Sequence, residues 1–252
     1  SNWNSPVTII NSIITGNQPE QLAINGSQCS YTIAYSNIQG GQDSIYVSDV
    51  ENNQIHWQNG NIDIDSKMQN VEEENFNLLA SSMLINAGDP DSLDSDGTRA
   101  DIGAYAYQNS YIGPDWYVSE SGNDLTATGG SNDPFRSIQA ALNFGSDEDT
   151  AFVSEGTYNE NLVYRYDESE NIRSVNLVGE NRESTIIDAQ NVSKGIILPP
   201  NGYSSVLIKN FTIQNGSGNG EIDSTNTYGG YGGGIMVGHN YEMVKLHNLM
   251  IK

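Results

Sequence analysis

The sequence predicts an all-β solenoid, a parallel β-helix whose short strands stack coil upon coil, and three observations lead to this prediction. Only 36% of the 252 residues are hydrophobic, yet short apolar runs recur along the whole chain. One strand template returns four times. Asparagine and glycine stand at the template's corners, where the left-handed turn conformation costs them little. A chain of this kind buries its apolar residues in thin layers, one coil at a time.

The repeated template consists of two short runs of alternating apolar residues joined by a polar corner, as half-buried strands require. Its copies begin at Val7, Tyr31, Val206 and Val244. The first two begin 24 residues apart (7 to 31) and the last two 38 apart (206 to 244). A spacing of roughly 20 to 25 residues suits one coil, so the wider spacing indicates a loop, residues 217–233, inserted into a coil. Asn11 and Asn210 share a template position, which predicts an asparagine ladder along the stack.

The chain is expected to divide near residue 108. Residues 1–108 are interpreted as the closing coils of one β-helix, and residues 109–252 as the opening cap and first coils of a second. In the second unit, Asp133 is expected to cap a short amphipathic helix that has Pro134 in its first turn. The apolar face of this helix would consist of Phe135, Ile138, Ala141 and Leu142. Such a helix would cover strand edges and apolar surface that a bare terminal coil exposes.

The charge balance excludes whole classes of partner. Thirty-two acidic residues against ten basic ones give a net charge of −22, which repels nucleic acid and anionic membranes and attracts divalent cations. No apolar run has transmembrane length, so membrane insertion is not expected. The single Cys29 excludes an internal disulfide and is expected to be a buried thiol. Because the chain starts and ends within strand patterns, it is interpreted as a piece of a longer polypeptide.

Several stretches carry a family resemblance. Residues 116–158 resemble the N-terminal opening of pectin-lyase-like right-handed β-helix proteins, through Ser-Gly-Asn-Asp, Asp-Pro-Phe-Arg-Ser-Ile-Gln-Ala-Ala-Leu and Glu-Gly-Thr-Tyr-Asn-Glu. Residues 178–188 are similar to early coils of pectin-esterase-like β-helices. Residues 7–105 resemble the closing part of bacterial β-helix surface proteins with repeated Asn-Ser-x-Ile-x-Gly-Asn coils. The resemblance implies a right-handed parallel β-helix from a secreted or cell-surface bacterial protein, but it implies no activity, because this fold hosts many functions.

The order of the two parts departs from the family, since a closing part precedes an opening part. Two β-helix units in tandem would explain this order, and so would a repeating unit cut at an arbitrary phase. End-to-end stacking of copies is therefore a possible assembly, either covalent or by association.

The main candidate site is an acidic loop that would hold a structural Ca²⁺. Five carboxylates lie within residues 89–101, and Gly97 permits a sharp turn among them. The expected ligands are Asp89, Asp91, Asp94, Asp96 and Asp101. Calcium accepts six to eight oxygen ligands in irregular geometry, and the loop resembles the Asp-x-Asp-Gly calcium loops of extracellular repeats. The alternative is a solvated acidic turn without a metal.

Few residues of the sequence indicate catalysis. Glu155, Glu160 and Asp188 are the carboxylates that could serve a polysaccharide hydrolase, although turn and loop roles suit them better. The three histidines, His56, His239 and His247, lack the spacing of a metal site. Aromatic residues that could stack on sugar rings are Trp3, Trp57, Trp116, Tyr228 and Tyr231, although scattered aromatics are more often core or turn residues.

These observations favour a non-catalytic structural or adhesive segment of an extracellular bacterial surface protein, stabilised by calcium. Its expected partners are other copies or neighbouring β-helix units. One alternative is a module that binds or cleaves polysaccharide, which a groove with carboxylates, Arg and exposed aromatics would favour. Another is the subunit of an end-to-end filament.

Overall fold

A computed structural model describes residues 6–25, 30–165, 173–200, 205–218, 233–239 and 241–252. The regular structure is mostly β, and nearly all of the strand pairs are parallel. Within the described ranges, no helix is long and apolar enough to cross a membrane. The described residues form two compact units, one of residues 6–78 and 82–108, the other of residues 79–81 and 109–252. Cys29, predicted to be a buried thiol, lies outside the described residues.

The first unit contains nine described strands. They are β1 (Val7–Ile10), β2 (Ile13–Ile14), β3 (Leu22–Ile24), β4 (Ser30–Ala34), β5 (Asn37–Ile38), β6 (Ile45–Val47), β7 (Gln54–Trp57), β8 (Met68–Asn70) and β9 (Asn75–Leu78). Three parallel sheets have the orders β1–β4–β7, β2–β5 and β3–β6. The chain visits these sheets in the same order in each pass. Strands β8 and β9 form an antiparallel pair around a short 3₁₀ turn, Val71–Glu73.

The first two template copies pair with each other in the predicted register. Val7 lies opposite Tyr31 and Ile9 opposite Ile33, so the 24-residue repeat is confirmed. Alternate side chains point inward, and the isoleucines Ile24, Ile33, Ile38 and Ile45 form a buried cluster. Branched side chains suit such a layered core because they pack well on a pleated surface.

The second unit contains twelve described strands and one α-helix, α1 (Ile138–Phe144). The strands are β10 (Asp115–Val118), β11 (Thr150–Val153), β12 (Gly156–Tyr158), β13 (Leu162–Val163), β14 (Asn176–Gly179), β15 (Thr185–Asp188), β16 (Ile196–Leu198), β17 (Ser205–Lys209), β18 (Thr212–Gln214), β19 (Ile235–Val237), β20 (Met243–His247) and β21 (Met250–Ile251). All of their pairings are parallel. They form a five-stranded sheet (β10–β11–β14–β17–β20), a four-stranded sheet (β12–β15–β18–β21) and a three-stranded sheet (β13–β16–β19).

The last two template copies also pair as predicted, with Val206 opposite Val244 and Lys209 opposite His247. Their corners form the predicted ladder, because Asn248 Nδ2 donates to Asn210 Oδ1 at 2.9 Å. In the first unit, the residue opposite Asn11 in the next strand pair is Tyr35 and not an asparagine. Tyr35 adopts the same left-handed corner conformation, with φ +46°. Most of the predicted inserted loop, residues 219–232, lies outside the described residues.

Helix α1 begins four residues later than predicted, and the assignment of Asp133 as its N-cap is wrong. The cap is Ser137, whose Oγ accepts a hydrogen bond from Ala140 N. Residues before it cannot be helical because Phe135 pairs with β10: its N–H donates to Tyr117 O and its carbonyl accepts from Ser119 N. Of the predicted apolar face, Ile138, Ala141 and Leu142 lie on the helix and are buried, whereas Phe135 is buried but lies outside the helix.

Two side chains fasten α1 to the strands that it covers. The Glu160 carboxylate accepts hydrogen bonds from the Ile138 and Gln139 N–H groups at 2.8 and 2.9 Å, at the positive end of the helix dipole. The Gln139 amide accepts from Val163 N at 2.9 Å and donates to Val163 O at 3.0 Å. The glutamine thereby satisfies the free edge of β13 as a neighbouring strand would.

Candidate functional site

The acidic loop of the first unit is a tight hairpin turn. Asp94 N donates to Thr98 O at 2.9 Å, and Gly97 N donates to Asp94 O at 3.0 Å. Gly97 has φ +88°, so the sharp turn predicted for it is present. A bridge between Leu93 and Arg99 closes the base of this hairpin.

Asp101 is the buried carboxylate of the loop, and its side chain accepts hydrogen bonds from the backbone. Its side chain is buried, with 4% of the residue exposed. Oδ1 accepts from Asn86 N at 2.7 Å and Oδ2 from Tyr107 N at 2.8 Å. Asp101 N in turn donates to Asp94 Oδ2 at 2.9 Å. These bonds connect Asp101 with residues 6 to 15 positions away along the chain.

The remaining aspartates of the loop are more exposed and form local turns. Asp89 Oδ1 accepts from Asp91 N, and Asp96 Oδ1 accepts from both the N–H and the hydroxyl group of Thr98. Asp91 is exposed. Such Asx turns are a common reason for aspartate in tight loops.

The aspartate side chains of this loop are not grouped as a metal site. In the ranges that the structure covers, which include all five aspartates, no group of three or more His, Cys, Asp or Glu side chains is placed to hold a metal ion. Both oxygens of Asp101 already accept backbone N–H groups. Calcium binding at this loop therefore stays a prediction from the sequence.

The carboxylates considered for catalysis also hold the chain together. Glu160 caps α1, as described above. Asp188, at the end of β15, accepts from Gln214 Nε2, Asn215 Nδ2 and Gln190 N at 2.9 to 3.0 Å. These bonds, chiefly those from Gln214 and Asn215, hold the pKa of Asp188 below its usual value because they stabilise the charged carboxylate. The stabilisation that they give is present at neutral pH and is lost as acid protonates Asp188.

Further carboxylates of the second unit make the same kind of contact, which sequence reasoning did not foresee. Each accepts a backbone N–H from another segment: Asp124 from Arg136 and Ser137, Asp147 from Ser174, Glu120 from Thr157, and Glu180 from Glu155. Asp149 is buried and uses one oxygen to accept from Trp116 Nε1 and Ser146 N. Their partners are between 3 and 37 residues away along the sequence, so no local motif reveals most of them.

A shallow groove of about 330 Å³ lies on the outer face of the five-stranded sheet. Tyr117 and Phe152 stand on neighbouring strands along it, with ring centroids 5.6 Å apart and planes inclined by 28°. Val178 follows in the next strand, and Glu180 also lines the groove. Phe152 is exposed. The signal that could have located this pair is strand alternation, since Trp116 points inward and Tyr117 must therefore point outward.

Two of the aromatic residues considered from the sequence, Trp57 and Trp116, lie outside this groove. Trp116 is buried and stacks on Phe135 and Phe144, with centroids 6.1 Å away in each case. Trp57 packs against the isoleucine cluster of the first unit. Trp3, Tyr228 and Tyr231 lie outside the described residues. Neither of the described tryptophans is therefore part of the groove.

Comparison with known proteins gives one match. A family model described as "Protein of unknown function (DUF1565)" matches residues 120–185, which are 66 of the 252 residues. This family is associated with right-handed β-helix proteins. The match begins after β10 and covers α1 and the strands up to the start of β15. No curated protein and no solved structure matches the chain.

Proposed function

We propose that this chain is a non-catalytic structural or adhesive segment of a larger extracellular surface protein. The observation that carries the proposal is the use of the carboxylates. Asp101, Asp124, Asp147 and Glu160 bind backbone N–H groups and hold loops and the helix in place, as side chains of a structural element do. The same charges, at −22 overall, keep such a protein soluble in a saline exterior where screening weakens their repulsion.

The proposed architecture is a right-handed parallel β-helix. Three features support it: the parallel pairing within each unit, the repeated visits to three sheets in one order, and the association of the matched family with this fold. Right-handed crossovers between parallel strands are also the general rule. A stack of this kind gives a stiff element whose length grows with the number of coils.

An assay for polysaccharide breakdown tests the non-catalytic role. The chain is incubated with neutral, acidic and amino polysaccharides, and new reducing ends and unsaturated uronates are measured. We expect no product above the level of a heat-denatured control. Product that disappears in Glu155→Gln or Asp188→Asn would replace the structural proposal with an enzymatic one.

Binding of a neutral polysaccharide is a second candidate function, favoured by the groove beside Tyr117 and Phe152. Stacked, partly exposed aromatic rings offer flat apolar faces to a sugar ring. The net negative charge and Glu180 disfavour acidic glycans at this place.

Affinity electrophoresis in gels that contain neutral glucans or mannans tests this second candidate. We expect Phe152→Ala to abolish retardation, because it removes one of the two stacked faces. The matched control is Tyr46→Ala, which removes an exposed aromatic residue of the first unit. Equal retardation of the wild-type chain and Phe152→Ala in every gel would contradict a sugar site here.

Calcium stays part of the proposal on the strength of the sequence, with Asp89, Asp91, Asp94, Asp96 and Asp101 as its predicted ligands. If the ion binds the folded loop, calcium should raise the unfolding midpoint above its value in chelator. Asp96→Asn should remove that increase. The measurement is thermal unfolding followed by circular dichroism, with magnesium as the control ion. An unchanged midpoint would eliminate calcium and leave the structural role intact.

A further inference from the structure

We infer that the groove beside Tyr117 and Phe152 binds a glycan of amino sugars, with a sugar ring on the free face of Phe152 and its ammonium group beside the Glu180 carboxylate. The inference rests on the sugar-binding candidate proposed above and specifies the charge of its preferred ligand. Phe152 and Val178 stand on β11 and β14, which have strand neighbours on both sides. The groove therefore belongs to the interior of the five-stranded sheet and not to its edge.

The Phe152 ring has one face free for a ligand. Nearly parallel rings whose centroids are 5.6 Å apart overlap face to face in an offset stack, so Tyr117 covers the face of Phe152 toward β10. The opposite face is directed toward β14, where Val178 lies in register with Phe152. Because valine is shorter than phenylalanine, it leaves space above it, and both residues line the groove. A flat ring placed there would continue the aromatic stack.

The Glu180 carboxylate supplies a negative charge at this space. Glu180 follows Val178 by two residues, so both side chains lie on the outer face of the sheet, and Glu180 is exposed. Its Oε2 accepts from Glu155 N at 3.2 Å. Neither of the two ion pairs among the described residues involves Glu180, Glu155 or Glu120. These three carboxylates therefore keep their charge available to a cation.

The titration of Tyr158 reflects this negative field beside the groove. Its hydroxyl group donates to the carbonyl of Ser154, a residue that lines the groove. Burial, and after it the charges of Glu120, Glu160 and Glu180, raise the pKa of Tyr158 above its usual value. A cationic group in the groove would lie in the same field, which would stabilise it.

One basic residue opposes the binding of a cation. Lys209 of β17 lies in register with Val178, on the side of Val178 that is away from Phe152. It does not line the groove, whereas Glu180 does. The carboxylates therefore determine the sign of the preferred ligand, and Lys209 should weaken its binding.

An amino sugar is the ligand that uses both features of the groove. A neutral glycan would stack on Phe152 but would leave the Glu180 carboxylate without a charged partner. A linear polyamine or a lysine-rich peptide would meet the carboxylates but would offer no flat sugar ring to Phe152. Successive coils are about 4.8 Å apart, close to the length of one sugar unit in an extended β-1,4-linked chain. Neighbouring sugars of such a chain can therefore follow neighbouring coils.

Three β-1,4-linked tetrasaccharides that differ at carbon 2 test the inference. Cellotetraose carries a hydroxyl group there, chitotetraose an acetamido group and the glucosamine tetramer an amino group. Binding is measured by isothermal titration calorimetry at low ionic strength, at a pH at which the amines are protonated. We expect the glucosamine tetramer to bind at least about fivefold more tightly than the other two. Added salt should reduce this preference.

Single substitutions assign the two parts of the site. Glu180→Gln should weaken binding of the glucosamine tetramer about fivefold and leave that of cellotetraose unchanged. The matched control is Glu72→Gln, which removes the same charge from an exposed position in the first unit and should change neither affinity. Phe152→Ala should weaken binding of all three tetrasaccharides about tenfold. Lys209→Gln should strengthen binding of the glucosamine tetramer alone, by about twofold. Circular dichroism of each variant verifies folding.

Equal affinities for the three tetrasaccharides would overturn the inference and leave the sugar-binding candidate intact. Binding of none of them would refute both. Spermine and tetralysine serve as cations without a sugar ring. If either bound as tightly as the glucosamine tetramer, with the same loss in Glu180→Gln, the groove would recognise charge alone and the amino sugar would be the wrong ligand.

Discussion

Replacing Trp116 with Ala should lower the free energy of unfolding of the second unit by about 4 kcal/mol, the usual cost of truncating a buried tryptophan. Trp116 is 1% exposed and packs against both Phe135 and Phe144, whose own ring centroids are 5.3 Å apart. Its Nε1–H donates to Asp149 Oδ2 at 2.8 Å. Ala would leave a cavity beneath α1 and would remove the packing that holds the helix on β10.

Trp116→Phe is the matched control. It keeps an aromatic ring in the stack and removes the indole hydrogen bond, while Asp149 Oδ2 still accepts from Ser146 N. We expect a loss of about 1–2 kcal/mol. Urea unfolding with hydrogen exchange in residues 115–153 measures both variants. A loss below about 1 kcal/mol for Trp116→Ala would show that the aromatic stack does not stabilise the unit.

Replacing Asp101 with Ala should cost about 3 kcal/mol in the first unit. The carboxylate accepts hydrogen bonds from the Asn86 and Tyr107 N–H groups, and bonds to a charged acceptor contribute about 1.5–3 kcal/mol each. Ala would leave the N–H groups of Asn86 and Tyr107 without their acceptor at a buried position. Hydrogen exchange of residues 84–107 should therefore accelerate together with the fall in stability.

Asp91→Ala is the control within the same loop. Asp91 is exposed, and its substitution should change stability by less than about 0.5 kcal/mol. Both variants lose one of the carboxylates predicted to bind calcium, but only Asp101→Ala also loses the bonds to Asn86 and Tyr107. The comparison therefore separates calcium binding from hydrogen bonding. Equal losses in chelator would mean that the loop depends on its overall charge and not on the hydrogen bonds of Asp101.

Much of the strand architecture is predictable from the sequence because its signal is local and periodic. Val7 and Tyr31, or Val206 and Val244, begin runs whose alternation matches a pleated strand, and their pairing follows from the repeat. The start of α1 is not predictable in this way. Asp133 and Pro134 form a good helix start locally, but the pairing of Phe135 with β10 overrides that preference.

The candidate sites are less predictable because their contacts follow no local sequence pattern. Five aspartates in one loop indicate a cation, yet Asp101 bonds to Asn86 and Tyr107, which no spacing rule connects to it. Tyr117 and Phe152 come together only because β10 and β11 pair in one particular register. Predicting such a surface requires the register of strands that are 35 residues apart (117 to 152).

The amide of Gln139 closes the free edge of β13 in the second unit. By satisfying Val163 on the side of α1, it removes one of the places where a foreign strand could add, and the buried helix blocks access to its neighbours. Helix α1 therefore acts as a terminator of strand addition at this side of the unit. Gln139→Leu should accordingly allow aberrant association at the blocked side, visible as amyloid-dye binding that the wild-type chain does not show.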